Sequence, residues 1–158
     1  MSRLLVIKLI VLFCGIGFGT DSYTQSSNYT SPDTLIDAVY EIISGPKGDR
    51  DWNAFHALFH EDARMGSTVI GNDGEYRFVS FSPKEYQEKN TSVFQKTDFY
   101  EKELSRETVA YGGLLFVNSE YEFRFHPKGQ VIQSGRNFIQ LVQEKGRWWI
   151  ISLVWEGK

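Results

Sequence analysis

Cysteine occurs once in the 158 residues, at Cys14, and histidine only three times. Cys14 lies in a segment that reads as a leader, so the rest of the chain has no thiol, which excludes disulfides, thiol redox chemistry and cysteine-based metal sites. Basic residues are outnumbered by acidic ones, 17 to 20, and nowhere cluster among aromatic positions. The formal net charge of −3 becomes −5 once Arg3 and Lys8 leave with the leader, and nucleic acid is not an expected partner. A membrane-spanning helix needs about 20 apolar residues. The N-terminal apolar core, residues 9–13, is too short, follows Lys8 and runs into Gly15, Gly17 and Gly19. Internal repeats and low-complexity blocks are absent as well.

What is present at the N-terminus is a positive start (Arg3, Lys8), the short apolar core and small residues Gly17 and Gly19 in a cleavage-like position. Residues 1–19 therefore read as a secretory signal peptide, with export to the periplasm or the medium and no stable membrane insertion after cleavage. Lipidation at Cys14 is the weaker reading, because Phe13 stands where a small residue is wanted. Residues 20–30, TDSYTQSSNYT, are polar and without apolar period, and read as a flexible tether. Roughly 140 residues remain after the leader, enough to bury about two-thirds of the unfolded surface in one domain, residues 31–158.

Ser31-Pro32-Asp33 opens a helix, with a serine cap, proline at the first position and an acid at the positive dipole end. Leu35, Ile36, Val39, Tyr40 and Ile43 give it one apolar stripe, and Gly45-Pro46-Lys47-Gly48 stops it. Asp51 caps a second helix in which Trp52, Phe55 and Phe59 share a face and His60 is the last residue. Residues 64–70 and 75–81 flank Gly71-Asn72-Asp73-Gly74 as a hairpin. Ser82-Pro83-Lys84-Glu85 is a capping box for a third helix carrying Tyr86, Val93 and Phe94. Four strands follow at 99–109, 114–125, 133–144 and 147–156, with turns at Gly112-Gly113, Pro127-Lys128-Gly129 and Lys145-Gly146.

That order predicts an α+β domain in which a curved sheet wraps three helices. In the strand at 114–125, Leu115, Val117, Ser119, Tyr121, Phe123 and Phe125 fall on one face and are expected to meet the helices. In the last strand both alternating sets, Trp149/Ile151/Leu153/Trp155 and Trp148/Ile150/Val154, are apolar. This reads as a strand covered on both sides, as in a dimer interface.

The combination of Leu58-Phe59-His60-Glu61-Asp62-Ala63-Arg64, Ser119-Glu120-Tyr121-Glu122, Ile139-Gln140-Leu141 and Gly146-Arg147-Trp148-Trp149-Ile150 resembles bacterial proteins of the nuclear transport factor 2-like superfamily, closest to its SnoaL-like branch, over residues 34–156. The resemblance implies a cone-shaped, mixed or antiparallel sheet of the cystatin-like roll, a pocket between sheet and helices, and a homodimer through the outer sheet face. It spans ketosteroid isomerase, dehydratases, cyclases and non-enzymes, so function must come from the site. The tyrosine and two carboxylates of ketosteroid isomerase have no residue-by-residue match here. The arginine expected where Ser134 stands is offset to Arg136.

Individual residues carry two readings each. His60 is either a general base toward a pocket ligand or a histidine placed for the helix dipole. His56 and His60 are spaced for a metal, but nothing accompanies them, and no metal or cofactor is expected. Tyr121 is an oxyanion donor beside Ser119 or a core tyrosine. Glu101 and Glu103 face either solvent or a pocket wall; inward, Glu103 would be an acid or base. Asn137 shares a face with Ile139 and Leu141 and reads as a buried amide orienting a ligand. Tyr40, Trp52, Phe55, Tyr86, Trp149 and Trp155 are expected as core and pocket wall. Three classes follow: an exported domain binding a small, mostly apolar molecule through Tyr121 and Asn137; a cofactor-independent isomerase, dehydratase or cyclase using His60, Glu103 and Tyr121; and a structural dimerisation module.

Overall fold

The computed structural model of the protein describes residues 29–158; the signal segment and the tether as far as residue 28 lie outside the described residues. The elements run α1 (Pro32–Ile43), α2 (Trp52–His56), β1 (Phe59–Ile70), β2 (Tyr76–Phe81), α3 (Pro83–Phe94), β3 (Tyr100–Tyr111), β4 (Leu114–Arg124), β5 (Gln133–Glu144) and β6 (Arg147–Gly157). The strands form one six-stranded sheet in the order β2-β1-β6-β5-β4-β3. Neighbours are antiparallel except β1 and β6, which are parallel, so the sheet is mixed. Among the described residues no helix is long and apolar enough to cross a membrane.

The helices form for the reasons their sequences suggest. The α1 stripe of Leu35, Ile36, Val39, Tyr40 and Ile43 is buried throughout. Ser31 takes the N-cap position in extended backbone without a side-chain capping bond; Thr34 Oγ1 donates to its carbonyl instead. The far end of α1 is closed by Arg50, whose guanidinium donates to the Ile43, Gly45 and Pro46 carbonyls and sits over the Phe94 ring. Ser82 and Glu85 make the reciprocal capping box of α3.

α2 is shorter than its pattern predicts. The helix ends at His56, and Phe59 and His60 belong to β1. The Leu58 carbonyl accepts a hydrogen bond from Ile150 N at 2.9 Å, so sheet pairing captures the chain before a second turn can form. His56 and His60 consequently do not share a helix face. A large irregularity then separates the Phe59↔Ile150 and Arg64↔Ser152 pairs, and His60, Glu61 and Asp62 bow out within it.

Two bulges decide which side chains point inward. In β6, Gln140 pairs with Ser152 and Leu141 with Ile150, which leaves Ile151 as the extra residue. The inward set is therefore Trp148 and Ile150 before the bulge and Leu153 and Trp155 after it, one from each alternating group. The outward set, Trp149 before the bulge and Val154 after it, is apolar and half-buried as well, so the strand is apolar on both faces, as its alternation predicts. In β3, Leu104 is the extra residue. It leaves Glu101 and Glu103 opposite inward-facing Phe123 and Tyr121, and brings Arg106 opposite Ser119. Tyr29, the first described residue, is tied to β6: its carbonyl accepts from Trp148 N at 2.8 Å.

Candidate functional site

Between the concave face of the sheet and the helices lies a cavity of about 370 Å³, within the size range of small-molecule sites. Its walls are Val39 and Ile43 from α1, Phe55 from α2, Tyr86, Val93 and Phe94 from α3, Met65 and Phe81 from β1 and β2, and Phe99, Tyr121, Phe123, Leu153 and Trp155 from the β3 approach and the sheet. Lys89, Asn90 and Gln133 contribute polar atoms, and Glu101 and Asn137 form a polar end.

Behind that end runs a directional chain of hydrogen bonds. Asn137 Nδ2 donates to Tyr40 Oη at 2.9 Å, Tyr40 Oη pairs with Ser119 Oγ at 2.5 Å, and Ser119 Oγ donates to Glu103. Arg106 ends the chain, holding Glu103 at 2.6 Å, Asp37 at 2.5 Å and Asp33 at 2.8 Å. Ser119 and Asn137 are buried; with every link satisfied, such a network stiffens the wall it supports. β3 is fixed against α1 as well, because Ser44 Oγ donates to the Glu101 carbonyl and accepts from the Glu101 amide.

The electrostatics distinguish the two glutamates. Glu103 is matched by Arg106. Glu101 is half-buried, and burial pushes its carboxyl up to about 7, with the Asn137 amide pulling in the opposite direction. Burial, helped by the Glu101 charge, also raises the Tyr121 and Tyr86 hydroxyls well above the usual tyrosine value. Tyr40 is pushed up to about 12 by burial, against its bonds to Ser119 and Asn137. All three tyrosines are thus neutral hydrogen-bonding groups around neutral pH.

The expected site residues separate into three groups. Phe55, Tyr86, Tyr121, Asn137 and Trp155 line the cavity. Tyr40 and Ser119 stand one step behind in the hydrogen-bond chain, and Trp52 packs outside Phe55, Tyr86 and Phe94. Trp149, His60 and Glu103 are elsewhere. Trp149 lies under the Arg147 guanidinium at 3.6 Å with His60 edge-on to it, away from the cavity lining. His60 instead approaches Glu144 at 3.4 Å and Asp62 at 3.6 Å. Glu103 faces inward but is committed to Arg106 and Ser119.

Sequence reasoning missed three contributors. Glu101 and Glu103 both pair with inward residues, Phe123 and Tyr121, and alternation leaves them equivalent; the Arg106 guanidinium on Glu103 is what separates them. Arg106 reaches the inward face only through the Leu104 bulge. Gly135, the cross-strand neighbour of Tyr121, lets that ring lie against the β5 backbone.

No protein-family model matches the chain, and no curated protein does. Solved structures do. A protein of unknown function with a cystatin-like fold from Nostoc punctiforme superposes with a TM-score of 0.61 at 11% identity, covering 80% of this chain and 87% of its own. A nuclear transport factor 2-like protein of unknown function from Pseudomonas putida gives 0.60 at 14% identity, covering 78% and 82%. One from Silicibacter pomeroyi gives 0.53 at 14%, covering 80% and 92%. The domain has the nuclear transport factor 2-like, cystatin-like fold, an α+β roll with a curved sheet around its helices.

Proposed function

We propose that the protein binds a small, mostly apolar molecule in the cavity between the concave sheet face and the helices. The observation that carries this reading is an unfilled volume of about 370 Å³ walled by aromatic rings and ending in Glu101, Tyr121 and Asn137. A purely structural module would fill that space with its own side chains. The SnoaL-like branch, export through the 1–19 segment and self-association through the outer sheet face belong to the same reading. Filling the cavity tests it. The wild-type domain is expected to bind the neutral dye Nile red saturably, and Leu153→Trp, which projects a larger ring into the space, to abolish binding while the far-ultraviolet circular dichroism is retained. Non-saturable binding, or equal binding by the variant, would refute the cavity as the binding site.

One observation favours a second reading, a cofactor-independent isomerase, dehydratase or cyclase. Glu101, with its carboxyl near 7, shares the cavity with the Tyr121 hydroxyl, a base and a hydrogen-bond donor in one polar end. In this reading Glu101 takes the base role that sequence reasoning divided between His60 and Glu103.

A further inference from the structure

Among the described residues, Glu101 is the only carboxylate that lines the cavity, and no ion pair includes it. The contrast lies within the same strand: two residues on, Glu103 is held by Arg106. The groups facing Glu101 from neighbouring elements are the Tyr40 hydroxyl from α1, Tyr86 from α3, Tyr121 from β4 and the Asn137 amide from β5. The one cationic lining residue among the described residues, Lys89, is exposed on α3. A half-buried carboxylate without a counter-ion is costly to keep charged, and the cost is relieved by any cation that reaches it. The rings that line the same cavity, Tyr86, Phe94, Phe99, Tyr121, Phe123 and Trp155, carry electron-rich faces, and such faces attract a cation and repel an anion.

We propose that the cavity selects a small organic cation, a protonated amine with an apolar body, and seats its ammonium at Glu101 among these rings. This rests on the binding reading above and supplies its ligand class. A carboxylate ligand meets like charge at the polar end, whereas a neutral carbonyl compound engages only Tyr121 and Asn137 and leaves Glu101 uncompensated.

Binding is linked to a proton. In the free protein Glu101 is half-protonated near pH 7; an ammonium favours the ionised form, so each ligand bound below that pH displaces a proton to solvent. Affinity for an amine that stays charged throughout therefore rises about tenfold between pH 6 and pH 8 and levels off above.

The test is an NMR titration of the domain with 4-phenylbutylamine and its neutral counterpart 4-phenylbutan-1-ol, at pH 6 and pH 8, on wild type and Glu101→Gln, with Nile red binding followed in parallel. Expected are one amine site, about tenfold tighter at the higher pH, weakened at least tenfold by Glu101→Gln with its pH dependence gone. The alcohol should still bind the variant, at least as tightly as it binds wild type at pH 8, which also shows that the variant is folded with its cavity intact. Alcohol binding as tight as the amine, or amine binding that Glu101→Gln leaves unchanged, overturns the cation selectivity and leaves the apolar cavity standing. Failure of both ligands with saturable Nile red does the same. Failure of all three removes the binding reading along with the inference.

Discussion

At the scale of single residues, Glu101 ties the stability of the protein to pH. Its carboxyl stands at about 7 in the fold against 4.5 ordinarily, so between those values the native state holds a proton that the unfolded chain has lost. Stability from this group is complete below about pH 4.5, declines as the pH rises and is gone above about 7, the reverse of a salt-bridged carboxylate. Glu101→Gln removes the charge and keeps the shape. Urea unfolding should show the variant more stable than wild type by about 1–3 kcal/mol at pH 8 and nearly equal at about pH 4; the same difference at both pH values would mean the carboxylate is not desolvated. Glu101 was only half legible in the sequence. Composition and alternation placed it on one face with Glu103, but which glutamate receives a counter-ion depends on Arg106, and Arg106 turns inward only because Leu104 is an extra residue.

At the scale of elements, the α1 stripe, the α3 capping box and the hairpin over Gly71–Gly74 could be read directly, because each is fixed by neighbours a few positions away. The bulges could not. A bulge answers to the partner strand, so the phase change at Ile151, which passes the inward positions from Trp148 and Ile150 to Leu153 and Trp155, cannot be read from alternation alone. α2 was overestimated for the same reason, since the Leu58 carbonyl goes to the sheet. Gly135 is another long-range feature: a methyl group there would sit 2.2 Å from the Glu156 carbonyl oxygen and 2.7 Å from Tyr121 Oη. Gly135→Ala must therefore part β5 from the end of β6 and push Tyr121 into the cavity. The expected cost is about 1–3 kcal/mol in urea unfolding, together with loss of Nile red binding. A variant with wild-type stability and binding would show that the Tyr121 ring does not rest on the β5 backbone.

At the scale of the whole molecule, the sheet has a second face, and part of it is apolar and exposed. Val109, Leu114, Phe116 and Phe138 are all exposed there, on three adjacent strands where Val109 pairs with Phe116 and Asn118 with Phe138. The Phe116 and Phe138 rings stack at 5.9 Å. Contiguous exposed apolar surface of this kind is what the proposed self-association would cover, and the outer face of one copy meeting that of another across a two-fold axis would double every favourable contact. The proposed homodimer is tested at Phe138, which points away from the cavity. Light scattering should give a dimer for the wild type and a monomer for Phe138→Glu, because the substitution places two like charges in the apolar centre of the contact. Nile red binding should survive in the monomer, since none of the cavity lining comes from that face. A wild-type protein that stays monomeric up to its solubility limit would rule the dimer out; loss of dye binding on monomerisation would instead mean that the two faces of the sheet are coupled through β5, the strand carrying both Phe138 and Asn137.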